Sequence, residues 1–118
     1  MDNDESFAPF RLFETTTPSR FELVLFDGDM EQVEEVFHRL DAEANGHGWQ
    51  ELAESVVAMR LPATSERVVF DSEGGTFVAL STDITALRQL AAVLHHAFHD
   101  CSHLEELIVE MNQNAASG

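Results

Sequence analysis

The chain is predicted to adopt an α+β fold: a four-stranded antiparallel sheet built from two hairpins, with helices packed on one face, in the order ββααββαα. Three observations predict it. Two pairs of short β-forming runs each flank a turn signal, "ETTTPSR" in the first and "DSEGG" in the second. Apolar residues recur at helical spacing between the pairs and again after the second pair. At 118 residues with 44% hydrophobic content, the chain has material for one core and no room for a second domain. The expected organisation is a disordered acidic N-terminus at 1–6, one domain over 7–112, and a frayed end at 113–118.

Each element follows from its residues. "FAPFRLF" (7–13) is short and aromatic-rich, which suits a strand, with Pro9 confined to its start or to a sheet edge. "FELVLFD" (21–27) is the second strand, with Phe21, Leu23 and Leu25 on one face. Asp29 with Gln32 has capping-box spacing, and Met30, Val33, Val36, Phe37 and Leu40 follow at helical intervals, so a helix is expected over about 30–44. Asn45-Gly46 reads as its left-handed terminator. A second helix is expected from Trp49, with Leu52, Ala53, Val56 and Arg60 on its stripe, stopping at Pro62.

Val68, Val69 and Phe70 form the third strand; Phe77, Val78 and Leu80 resume the pattern after Gly74-Gly75. Asp83 opens a helix with Ile84, Leu87, Ala91, Leu94 and Phe98 on one face. Ser102 and Glu105 have the spacing of a fresh capping box before Leu104, Leu107, Ile108 and Met111.

Charge narrows the function. There are 22 acidic residues against six Arg and no Lys, for a formal net charge of -16. Nucleic acid and anionic membrane surfaces are poor partners, because both are held by Lys and Arg. A basic protein would be drawn in. No secretory signal or transmembrane run is evident, and the single Cys101 cannot form an internal disulfide, so a cytoplasmic location is expected.

Catalytic patterns are absent: there is no nucleophile elbow, phosphate loop or dinucleotide fingerprint, and carboxylate pairs are expected by chance in so acidic a chain. Asp27-Gly28-Asp29 begins like a calcium loop, but the remaining ligand positions do not follow. His95, His99 and His103 would fall about 40° apart per step on one continuous helix, a spacing a zinc or nickel site exploits. The Ser102 capping box argues for a break there, and the histidines equally suit an ordinary helix edge. The expectation is no metal and no cofactor, with a His-based metal-binding domain as one alternative. Glu31, Glu34, Glu35 and Asp41 crowd the first helix with Arg39 as almost their only cation, a like-charge cost. That face is either simply solvated or shaped to meet a basic partner.

Taken in order and spacing, "PFRLFETTTPSRFELVLFDGD", "NGHGWQELA" and "VVFDSEGGTFVALSTDITALRQLAAVLHHAFHD" resemble the immunity protein 51 family of bacterial polymorphic toxin systems. The matching positions are Asp27 and Gly28; Asn45, Gly46 and Trp49; and Phe70, Asp71, Glu73, Gly75 and Phe77. His47-Gly48 stands where the family pattern has an aromatic and Asp, Ser72 replaces Pro, and Gly74 replaces Ala. The resemblance implies a non-catalytic protein that binds and neutralises a cognate toxin. The acidity would suit a basic, nuclease-like toxin, met by Asp27, Asp29, Glu31, Glu34, Glu35 and the exposed turn at His47. A small acidic regulatory or scaffold domain is the other alternative.

Overall fold

The computed structural model describes residues 7–16 and 19–117. The acidic segment 1–6 lies outside them. Strands β1 (Arg11–Thr16) and β2 (Ser19–Phe26) form the first hairpin, in the register Leu12↔Leu23 and Thr16↔Ser19. Thr15 and Thr16, expected in the turn, therefore extend β1, as β-branched residues favour. Phe7–Phe10, expected as strand, instead folds into a turn in which Phe10 N–H donates to Phe7 O at 2.9 Å.

β3 (Val69–Phe70) and β4 (Thr76–Ser81) form the second hairpin, closed by the bridge between Glu73 and Thr76. β2 pairs antiparallel with β4, giving the order β1-β2-β4-β3. The sheet and its two hairpins are as predicted, and the helices lie on one face. Leu12, Leu23, Leu25, Phe77 and Ala79 point to that face and are buried in one core with the helices.

The first helical region departs from the expected single rod. It is α1 (Asp27–Met30), a 3-10 turn (Glu31–Val33) and α2 (Glu34–Arg39). Val33 leaves helical backbone at φ -124°. The break lets α1 pack on β2 while α2 reaches the last helix, with Met30, Val33, Val36 and Phe37 all buried. Asp29 is no N-cap: the cap position is Phe26, and Gln32 Nε2 reaches the Asp29 carboxylate at 3.4 Å from inside the helical stretch.

α2 ends five residues earlier than the Asn45-Gly46 signal suggests. Asp41 has φ 57°, its N–H donates to His38 O at 3.2 Å, and Ala42 N–H donates to Phe37 O at 2.9 Å. This is a Schellman termination with Asp in the left-handed position usually given to Gly. Asn112 Nδ2 donates to Leu40 O at 2.8 Å and occupies one of the carbonyls left open there. Asp41→Gly removes the Cβ penalty and an anion from a negative helix end, so it is expected to stabilise the protein by about 1 kcal/mol. Urea unfolding of the two proteins would check this, and an unchanged or lower midpoint would refute it.

α3 (Gly46–Arg60) begins three residues before Trp49, because Asn45 is its N-cap and not the previous helix's terminator. Asn45 Oδ1 accepts from Gly48 N–H at 2.7 Å. Arg60 lies outside the buried stripe and instead ties α3 to the last helix through Glu110 at 2.7 Å. α4 (Ile84–His99) has Asp83 as its cap, as expected. α5 (Cys101–Ser117) is capped by Asp100, whose Oδ1 accepts from Ser102 N–H at 3.0 Å and His103 N–H at 3.3 Å. The Ser102 capping box is thus displaced by two residues, since Asp at the cap supplies the stronger, charged acceptor. α5 runs to Ser117.

Candidate functional site: an acidic corner built by the motif residues

Three segments distant in sequence meet at one corner of the sheet. β2 turns into α1 with no connecting loop, and Asp27 N–H donates to Gly75 O at 3.0 Å. Beside it, Gly46 N–H donates to Gly74 O at 3.0 Å. A Cβ at Gly46 would collide with the backbone oxygens of Glu73 and Thr76, and one at Gly48 with that of Glu43. These glycines are needed for close backbone approach, as neither has positive φ.

Below the corner, Trp49 is fully buried. Its ring lies 5.6 Å from Phe10, 5.1 Å from Phe37 and 6.2 Å from Phe98, joining the N-terminal turn, α2 and α4. Phe77 is also fully buried, 6.2 Å from the half-buried Phe70. Asp71 N–H donates to Val78 O at 3.0 Å, extending the β3–β4 ladder, while its carboxylate is exposed. Each matched motif position thus has a visible structural task or sits in the turn that performs one.

Gln50, which sequence reasoning passed over, and Ser72, which it noted only as a departure from the family pattern, complete the corner. Gln50 Oε1 accepts from Ser72 N–H at 3.1 Å, and the Ser72 hydroxyl accepts from Val78 N–H at 2.9 Å. Ser72 stands where the family pattern has Pro, which has no N–H to donate. That departure was the signal: a freed donor inside the turn asks for an acceptor nearby.

The surface groups are arranged around this frame. Asp27, Glu31, Glu34, Glu35, Glu73 and His47 are exposed, and Asp29 is half-buried. Asp27, Glu73 and His47 are brought to the corner, His47 in the first turn of α3 and not in the exposed loop expected for it; Glu34 and Glu35 open α2 beyond it. Arg39, the cation nearest them in sequence, is turned to Glu105 of α5 at 2.9 Å. The acidic face therefore keeps its excess charge.

The late histidines separate into two pairs because the chain turns at Asp100. His95 and His99 rings lie 4.6 Å apart on α4, whereas His96 stacks on His103 at 4.4 Å. His99 Nε2 lies 2.8 Å from Ala8 O, and Phe7 packs edge-on to His95 at 6.1 Å, so the first pair holds the N-terminal turn. Among the described residues, no group of three or more His, Cys, Asp or Glu could hold a metal ion.

Burial, then the charges of His99 and His96, lower the pKa of His95 below 6.5. The Asp100 carboxyl is also held low, first by His103 N–H and then by Ser102 N–H and His96. A histidine whose folded pKa is depressed contributes stability above its unfolded pKa, and that contribution is lost as pH falls through 6.5 towards the folded value. His95→Gln is therefore expected to flatten the fall in stability as pH drops from about 7 through 6.5 and below. Parallel wild-type and variant slopes in denaturant melts across that window would refute it.

Fold and corner together define a small α+β domain whose motif residues hold backbone segments together, leaving a strongly anionic surface outside. The family model of Immunity protein 51 matches residues 10–113, and the chain belongs to this family of immunity proteins. No curated protein and no solved structure matches the chain. No helix among the described residues is long and apolar enough to cross a membrane.

Proposed function

We propose that this protein is a non-catalytic immunity protein that binds and neutralises a cognate toxin of a bacterial polymorphic toxin system, in the cytoplasm. Membership of the immunity family over nearly the whole described domain carries this reading. The partner is a basic protein toxin, nuclease-like in its surface charge, and neither nucleic acid nor a membrane is bound. Support comes from the net charge of -16 and the excess of carboxylates at Asp27, Asp29, Glu31, Glu34 and Glu35, with His47 exposed in the first turn of α3 nearby. Carboxylates on such a face can occupy positions where a basic cleft would hold phosphates. The motif residues Asn45, Gly46, Trp49, Phe70, Asp71, Glu73, Gly75 and Phe77 act structurally in this reading.

The test is co-expression with each candidate toxin encoded by a neighbouring gene. Rescue of growth together with a co-purified complex is expected, and no rescue would overturn the proposal. Association should slow about tenfold or more from low to high salt, as electrostatic steering is screened. A salt-independent rate would remove the acidic face from the mechanism.

A further inference from the structure

An antiparallel sheet covered on one side normally alternates apolar and polar residues along its strands. Here it does not. Leu23-Val24-Leu25-Phe26 and Phe77-Val78-Ala79-Leu80 are apolar at every position. Half of each run enters the core; the other half must face away from the helices. In the observed register Val24 sits between Arg11 and Val78, and Leu80 between Glu22 and Val69. Phe13, Val24, Phe26, Val69, Val78 and Leu80 all lie on this outer face, and none of them joins the core cluster. Phe26 is 45% exposed and Val69 61%.

Charge on this face differs from the rest of the surface. Arg11 and Arg20 project from it and Arg67 lies at its end, half of the six arginines in a chain of net charge -16. Arg20 is only 3.6 Å from Glu22, and its buried Nε has no acceptor. Arg67 holds Asp83 at 2.9 Å. Arg20, Arg67 and Asp83, with Glu66, Val69 and Leu80, line an open groove of about 580 Å3. At the opposite end Phe26 adjoins Asp27, so the apolar strip runs directly into the acidic corner.

Resting on the immunity reading, we propose that the outer face of the sheet is the energetic centre of toxin docking. The toxin presents apolar side chains to the exposed Phe26 and Val69 and the half-buried Val78, and cations to the Asp27 corner. The charge distribution selects this occupant. A second copy would bring one excess of -16 against another, whereas a basic toxin is attracted by the same charge before the apolar strip makes contact. An apolar centre with a polar, charged rim is the usual anatomy of a protein interface.

The test uses the full chain and a candidate toxin domain encoded by a neighbouring gene. Phe26→Asp and Val69→Asp alter exposed side chains, so melting temperatures close to wild type are expected. Affinity for the toxin domain, measured by calorimetry, should fall about 30-fold or more, the loss typical of an interface hot spot. Oxidative footprinting of the wild-type complex should protect Phe26 and Phe13, a readout that needs no variant. Wild-type affinity in both variants, with Phe26 and Phe13 unprotected in the complex, would overturn the inference while leaving immunity intact. Failure of the wild-type chain to bind or rescue would overturn both. A dimer detected by sedimentation and abolished by the same substitutions would assign the face to a second copy and likewise overturn it.

Discussion

Trp49→Ala is expected to lower the free energy of unfolding by about 3–5 kcal/mol, the largest effect of any single truncation considered. The side chain is fully buried and touches aromatic rings from three other segments. Alanine there leaves a cavity whose walls are themselves rigid rings, so collapse recovers little. A loss of this size corresponds to a fall in melting temperature of roughly 10–20 °C for a domain of this length. Trp49→Phe should cost much less. The indole Nε1 is buried with no acceptor, and a buried unpaired donor carries a penalty of about 1–3 kcal/mol that Phe does not incur. The ordering Ala far below Phe, and Phe below wild type, can be read from thermal and urea melts. A shift for Trp49→Ala no larger than that of the exposed Glu51→Ala would defeat the assignment.

Gly46→Ala is expected to cost about 2–3 kcal/mol through overpacking, even though Ala is the better helix former at nearly every other helical position. The new Cβ would meet two backbone oxygens, of Glu73 and Thr76, and backbone yields far less readily than a side chain. Relief requires α3 to move off the β3–β4 turn, which strains the hydrogen bond from Gly46 N–H to Gly74 O and, next to it, that from Asp27 N–H to Gly75 O. Gly28→Ala is the control: nothing lies within 4 Å of its Cβ, and this helical glycine should gain up to about 1 kcal/mol. Equal melting temperatures for the two variants would refute the close-approach account. Toxin affinity should fall in Gly46→Ala and persist in Gly28→Ala, because only the first displaces the Asp27 corner.

Much of the architecture was legible locally. Strand and helix types follow from residue periodicity, and Asp83 and the Gly74-Gly75 turn mark their boundaries by chemistry acting over two or three residues. The errors cluster where two local signals compete. Asn45-Gly46 is as good a helix end as a helix start, and the choice fell to Asp41, an anion accepting left-handed backbone because Phe37 and Ala42 are needed where they are. Ser102 and Asp100 both offered a cap, and the charged acceptor prevailed.

The candidate site was legible only in part. The motif residues were visible as a set, but their shared task was not, since Asp27, Gly46 and Gly75 meet through backbone hydrogen bonds that no spacing encodes. Separation of the histidines into two pairs likewise depends on the turn at Asp100. The apolar outer face left a trace in the unbroken runs of β2 and β4, a trace that acquires meaning once the helices are known to cover one side alone.

By itself, the sequence determined the α+β class, the two hairpins, the burial of Trp49 and the anionic character of the surface, because these depend on composition and on contacts between near neighbours. Tertiary structure alone decided where the first helix breaks, which glycines admit a second backbone, and which sheet face stays uncovered. Those outcomes are set by contacts between segments far apart in the chain, where the packing energy of the whole core outweighs any local preference.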